Sequence, residues 1–165
     1  MNPPGLRRYR GEDRAACLAL FDSNVPDYFA ALERADFIRT LDEIDDGIVA
    51  YWLIEREGEG VVACGGYAAS DGEASVAVLC WGMVRRDLHR RGLGERLLSE
   101  RLRRIDADPA FAWCVLETTQ HSRGFYARHG FRAVREQRDG FAPGFDLVEM
   151  RRARNGAVDG AVDEG

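Results

Sequence analysis

The chain has 165 residues, 45% of them hydrophobic and 31% charged, which fits one soluble globular domain with a sizeable core and leaves little room for two. All 23 basic side chains are arginine, which closes off any mechanism needing a lysine nucleophile, a Schiff base or a P-loop lysine. A net charge of −5 argues against a dedicated nucleic-acid binder, whose affinity comes from neutralising phosphates.

In chain order, Leu6 to Tyr9 reads as a short strand. A helix is expected from about Glu12 and Asp13, acids suited to a first helical turn, with Ala16, Leu20 and Phe21 on one face. Pro26 suits the start of a second helix, along which Phe29, Leu32, Phe37, Ile38 and Leu41 form an apolar stripe. The period then changes. IVAYWLIE, VVACGGYAAS and ASVAVLCWGMV are β-rich runs joined by EGEG and SDGEA, which read as hairpin turns. The third run is apolar almost throughout, as a central strand covered on both faces would be. GLGERLLSERLRRI then places Leu93, Leu97, Leu98, Leu102 and Ile105 on one side of a helix. A strand, FAWCVLETT, a short helix around SRGFYARHG closed by Gly130, and two strands, FRAVREQRD and GFDLVEMRR, complete the pattern. The order β-α-α-β-β-β-α-β-α-β-β predicts an α/β (α+β) class with a mixed, mostly antiparallel sheet in a single domain over residues 1–152. The acidic, Gly/Ala-rich stretch 153–165 has little to bury and is expected to form a disordered tail.

Cys17, Cys64, Cys80 and Cys114 are too far apart for a CxxC metal or redox pattern, and three of them lie in apolar runs where a free cysteine acts as a small buried hydrophobe. No metal site is expected. MNPPGLRRYR carries charge without a following apolar core, so no secretory leader is expected, and no apolar run approaches the ~20 residues of a membrane helix. These features predict a cytoplasmic protein with reduced thiols and no membrane partner.

Charge is unevenly spread. Residues 85–104 hold 8 Arg against 3 acids, whereas residues 1–84 hold 7 Arg against 15. This basic island coincides with VRRDLHRRGLGERLL, where an apolar strand ends at Val84 and a helix begins around Gly92 and Gly94. Glycines permit a sharp turn and close approach of a ligand to the backbone, and the unpaired amides of a helix start attract anions. His89, Arg90 and Arg91 would add donors and charge. A solvated Arg-rich helix face or a plain strand–helix turn would give the same pattern. Downstream, Glu117 ends an apolar strand, where partial burial would raise its pKa and suit a general base. Tyr126 follows on the next helix, as either a proton donor at the same strand end or a core aromatic with a satisfied hydroxyl.

Together these segments resemble the GNAT superfamily of acyl-CoA-dependent N-acyltransferases. His89-Arg90-Arg91-Gly92-Leu93-Gly94 has the spacing of that family's Q/R-x-x-G-x-G/A phosphate signature, with His in the first position. Phe125-Tyr126 and Gly130-Phe131 match its downstream Φ-Y-x-x-x-G-F. Two family features are missing: the proline often found before the loop, and the Asn after the fifth strand. The resemblance covers about residues 5–152 and implies a sheet of about seven strands with about four helices. It implies that acetyl-CoA is a co-substrate whose pyrophosphate is cradled by amides from Arg90 to Glu95 (Arg90, Arg91, Gly92, Leu93, Gly94, Glu95) beside His89. Pantetheine would lie between the strands ending at Val84 and Thr118, and an amide near Gly82 or Met83 would polarise the thioester. Tyr126 would protonate the leaving thiolate, and Glu117 would deprotonate the amine acceptor directly or through water. No acid lies between Ala74 and Val84, so the other usual base position is empty. Tyr28, Phe29, Trp52 and the turn GFAPG are candidates to frame a cationic acceptor, the aromatics being equally open to a core role. The implied activity is transfer of acetyl from acetyl-CoA to a primary amine of a small molecule or peptide by direct attack, in a monomer or homodimer. A non-catalytic acyl-CoA-binding module is the alternative, and a small Arg-rich RNA-binding domain a weaker one.

Overall fold

The computed structural model describes residues 5–156. Its elements follow the predicted order. β1 (Leu6–Arg8) leads through a 3-10 turn to α1 (Arg14–Ser23), and a second 3-10 turn precedes α2 (Arg34–Asp45). Then come β2 (Ala50–Arg56), β3 (Gly60–Ala69), β4 (Val76–Val84), α3 (Leu93–Ala107), β5 (Trp113–Thr118), the short α4 (Arg123–Ala127), β6 (Arg132–Ala142) and β7 (Phe145–Ala153). The strands form one mixed sheet in the order β1-β2-β3-β4-β5-β7-β6. β4 and β5 are parallel, a pairing that requires a crossover, here through α3. The pairs β1–β2, β2–β3, β5–β7 and β6–β7 are antiparallel. No helix among the described residues is long and apolar enough to cross a membrane.

The second helix starts at Arg34, not near Pro26. After α1 the chain turns on Asn24, whose carbonyl accepts the N–H groups of Tyr28 and Phe29 at 2.8 and 3.2 Å. The start signal lies further on, where the Glu33 carboxylate accepts the Ala30 N–H at 2.9 Å and so satisfies a donor at the turn's beginning. Leu32 therefore falls in the turn and is 64% exposed, outside the stripe that Phe37 and Leu41 bury.

Residues cluster into two compact units. The first comprises the described residues through Ala68 together with Cys80–Leu102. Alternation along β2 sends Tyr51 and Leu53 into a cluster with Cys17, Leu20 and Phe21 of α1 and Phe37, Leu41 and Ile44 of α2. Trp52 and Ile54 enter a second cluster with Ala63, Leu88, Leu93 and Leu97. Arg7 of β1 is tied to Asp13, just before α1, by two hydrogen bonds of 2.9 and 2.8 Å, which hold the Asp13 carboxyl below the ordinary range.

The second unit comprises Ala69–Leu79 and the described residues from Arg103 onward. β5 and β7 pair from Trp113↔Ala153 to Thr118↔Val148, burying Cys114, Leu116, Val148 and Met150. Burial alone would raise the Asp106 carboxyl, but hydrogen bonds from Arg152 at 2.9 and 3.0 Å and from the Asn155 N–H at 3.0 Å outweigh it and hold Asp106 low. β7 continues through Ala153, and a 3-10 turn covers Arg154–Gly156. The remainder of the expected tail, 157–165, lies outside the described residues.

All four cysteines are free, with Cys17, Cys64 and Cys114 buried and Cys80 partly so. Burial pushes the Cys80 thiol up to about 12, although the charge of Arg101 opposes this.

Candidate active site

The strand–helix connection after Val84 is built as a clamped turn in the first unit. Leu88 and Leu93 bury their side chains in the core on either side of it, so the segment between them is pinned at both ends. The Val84 carbonyl accepts two hydrogen bonds, from Asn24 Nδ2 at 3.0 Å and from the His89 ring at 2.9 Å. The Arg86 N–H donates to Ser23 Oγ at 3.1 Å, a second tie to the end of α1. Arg90 and Gly92 both adopt left-handed backbone, φ 64° and 82°, turning the chain sharply into α3. Glycine adopts this conformation without a steric cost; Arg90 does so against one. The amides of Leu93, Gly94 and Glu95 then open a helix of 15 residues, a position where N–H groups have no acceptor within the helix.

The basic island contributes less free charge than its composition suggests. Arg85 pairs with Asp87 at 2.6 Å and Glu59 at 3.4 Å. Arg86 lies 3.6 Å from Asp27 and over the Tyr28 ring, 5.0 Å from its centroid. Arg101 is buried. Arg90 and Arg91 flank the left-handed turn and form no ion pair among the described residues. They are the cations left for an anion at the start of α3.

His89 departs from expectation. Burial lowers its pKa, outweighing the opposing hydrogen bond to Val84. A carbonyl can only accept, so Nε2 carries the proton in this bond. The ring stands edge-on to Tyr28 at 4.7 Å. His89 therefore serves as a neutral strut of the turn rather than as positive charge. The side chains of Met83 and Leu93 are likewise core, so these two residues offer only backbone to a ligand.

β4 itself is distorted. Trp81 has φ 45° in mid-strand, rare for an aromatic residue, and its surroundings hold it there. Its carbonyl accepts from Tyr51 Oη at 2.7 Å, and its indole N–H donates to Thr40 Oγ1 at 2.9 Å. Its ring packs on Phe37, Phe29 and Phe21 with centroids 5.1, 6.0 and 6.2 Å apart. In a trans peptide the N–H points opposite to the carbonyl, so the Gly82 N–H faces away from Tyr51.

In the second unit, Tyr126 of α4 is partly buried, its ring edge-on to Phe131 at 5.8 Å and Phe125 at 5.1 Å. Among the described residues its hydroxyl has no hydrogen-bond partner, unlike the satisfied hydroxyl of a purely structural tyrosine. Glu117 contradicts the burial expected of it. Its side chain is 54% exposed and lies 3.9 Å from Arg135, which also bonds Glu149 at 3.0 Å across the β6–β7 pair. The reason is strand alternation: Cys114 and Leu116 take the buried face and leave Glu117 on the other.

Trp52, suggested as an acceptor contact, is core instead: 1% exposed, stacked on Tyr67 at 5.5 Å and covered by Arg8 at 4.8 Å. Phe29 stacks on Phe21 at 5.0 Å. Sequence reasoning missed Ser23, Asn24, Trp81 and Arg101. Asn after a helix is a common cap, so Asn24 gave no distinctive signal. The conformation of Trp81 and the burial of Arg101 leave no trace in residue type.

A model of the GNAT acetyltransferase family matches residues 17–131. The chain belongs to this family. No curated protein matches it in sequence. Solved structures share the fold. The ribosomal-protein-S18-alanine N-acetyltransferase of Escherichia coli is 17% identical, with a TM-score of 0.72 over 96% of this chain and 97% of that one. The ribosomal-protein-alanine N-acetyltransferase of Brucella melitensis is 18% identical, with a TM-score of 0.71 over 90% and 98%. A GNAT superfamily phosphinothricin acetyltransferase of Sinorhizobium meliloti, solved in complex with acetyl-CoA, is 16% identical, with a TM-score of 0.73 over 90% and 87%.

Proposed function

We propose that this GNAT acetyltransferase, a single catalytic domain, moves an acetyl group from acetyl-CoA to a primary amine by direct attack, without a covalent enzyme intermediate. The observation that carries this reading is the clamped turn between Val84 and Leu93, with Arg90 and Arg91 forming no ion pair among the described residues beside the opening amides of α3. A pyrophosphate there would meet N–H donors, the positive end of a helix dipole and two guanidinium groups. Direct attack fits thiols that cannot ionise readily: a hydrogen bond with Cys64 and burial push Cys17 up, and burial pushes Cys80 up.

The chemistry assigns each residue a task. An amine with pKa of about 10.4 must lose a proton before it attacks at neutral pH. Its nitrogen adds to the thioester carbon, the carbonyl oxygen becomes an alkoxide accepting from the Gly82 N–H, and collapse expels the CoA thiolate. Tyr126, with its hydroxyl uncommitted, donates a proton to that thiolate. Glu117, exposed beside Arg135, accepts through water the proton the amine loses before attack, rather than acting as a buried base. The second proton, lost from nitrogen as the intermediate collapses, passes through water to restore Tyr126. The two kinds of acetyltransferase among the structural neighbours, one for a ribosomal-protein alanine and one for phosphinothricin, support an amine acceptor without selecting between peptide and small molecule. The protein is proposed to work in the cytoplasm as a monomer or homodimer, with no metal, nucleic acid or membrane partner.

Thermal melting with acetyl-CoA tests the first half of this reading. At ~100 times its dissociation constant a ligand adds ~2.7 kcal/mol, a shift of about 5–10 °C for a chain of this size. No shift at millimolar acetyl-CoA overturns it. Thiol release with a panel of primary amines tests the second half; binding without release against any amine leaves an acyl-CoA-binding module.

A further inference from the structure

Arg101 of α3 is a charged residue that the steps above do not use. It is 2% exposed and has no ion pair among the described residues. Its Nη1 donates to the Gly66 carbonyl at 3.2 Å, and its buried Nε has no partner among the described residues. A buried guanidinium without a carboxylate is costly, because desolvation is not repaid by an opposite charge. The backbone is left bare to receive it: a Cβ at Gly65 would stand 3.0 Å from Cζ, and one at Gly82 2.8 Å from Nη2. Glycines on two neighbouring strands thus let this cation lie against the sheet beside the left-handed Trp81 and the Gly82 amide.

We propose that Arg101 is a positioning residue for acyl transfer, its buried guanidinium holding the Trp81–Gly82 peptide of β4 and supplying fixed positive potential where the thioester oxygen becomes negative. This rests on the acetyl-CoA reading above. When the amine lone pair forms the new C–N bond, the carbonyl π pair moves onto oxygen; when the C–S bond breaks, that pair returns and the sulfur leaves with its own. Negative charge sits on oxygen only between these events. A cation fixed nearby in a low-dielectric setting lowers that state with no reorganisation during the reaction. The missing negative partner of Arg101 is then the reacting oxygen itself, present only in turnover. Tyr51, by holding the Trp81 carbonyl, turns the Gly82 N–H away from itself, and the Arg101 guanidinium fills the space that a Cβ at Gly82 would need.

The test uses the full chain with Arg101→Met, Arg101→Lys and Gly65→Ala, the last pressing a methyl group against both Arg101 Cζ and the Gly82 Cα of β4. Three readouts are taken: acetyl-CoA affinity by calorimetry, kcat and KM separately, and the infrared carbonyl band of bound [1-13C]acetyl-CoA. Removing one preorganised donor to an oxyanion lowers kcat by about 10²–10³-fold, and a cation acting from behind the backbone is expected to give about 10–100-fold. Arg101→Met should therefore lower kcat by that factor, leave acetyl-CoA KM within about threefold, and move the carbonyl band towards that of free acetyl-CoA. Arg101→Lys should recover part of both effects, and Gly65→Ala should show a smaller shift in the same direction. If Arg101→Met does not fold, the two milder variants carry the same expectations. A structural brace alone would lower melting temperature while kcat and the band in the folded variants stayed at wild-type values, and that result overturns the proposal. Wild-type protein that binds no acetyl-CoA overturns the underlying reading; wild-type turnover with unaffected variants overturns only the role of Arg101.

Discussion

The two donors on the Val84 carbonyl make a thermodynamic cycle that tests how the turn is built. Asn24→Ala removes the Nδ2 bonds to Leu20 O at 2.9 Å and Val84 O at 3.0 Å. Neither carbonyl is orphaned, because Leu20 O keeps Ser23 Oγ at 2.7 Å and Val84 O keeps His89 at 2.9 Å. At about 1 kcal/mol net per hydrogen bond, plus the small cavity left by a buried amide, the expected loss is about 2–3 kcal/mol. For a chain of this length that lowers Tm by about 5–10 °C. His89→Ala alone loses one bond and the edge contact with Tyr28, about 1–2 kcal/mol. The double variant strips both donors from Val84 O, so it should cost about 1 kcal/mol more than the two single losses together. Urea denaturation of the four proteins measures the cycle, and acetyl-CoA affinity should fall in the same order. Strict additivity, or an Asn24→Ala variant as stable as wild type, would refute the clamp.

Two further outcomes follow from the site. Tyr126→Phe removes a hydroxyl with no hydrogen-bond partner among the described residues, so Tm should stay within about 1 °C and acetyl-CoA affinity within about twofold, while turnover falls about 10²-fold, the lower range for a general acid; steady-state kinetics with equal rates would remove its role. For His89, the folded pKa is lowered, so the unfolded chain takes up the proton first as pH falls below about 6.5. Its contribution to stability is full above that pH and declines on acidification, and Tm measured between pH 7.5 and 5 should fall more steeply in wild type than in His89→Gln.

Much of the architecture is carried by local pattern. The apolar, β-rich run IVAYWLIE, the turn EGEG and the 3.6-residue stripe of Leu93, Leu97 and Leu98 each specify an element, and β2, the hairpin and α3 form as expected. Pro26 misled because a permissive residue is not a start signal; the carboxylate of Glu33, reaching back to Ala30, decides where the turn leading into α2 begins. Glu117 misled because the end of an apolar strand says nothing about which face the last residue takes.

The basic island shows the division most clearly. The sequence by itself determined that eight arginines gather around Gly92 and Gly94 after a buried strand, because residue type, spacing and period are local properties. Only the tertiary structure decided what they do: Arg85 and Arg86 face acids, Arg90 and Arg91 stand without ion pairs among the described residues, and Arg101 is buried against two glycines. It likewise made His89 a neutral strut and bent β4 at Trp81. Charge, pKa and backbone strain depend on distances to groups far away in the chain, and those distances exist only once the chain is folded.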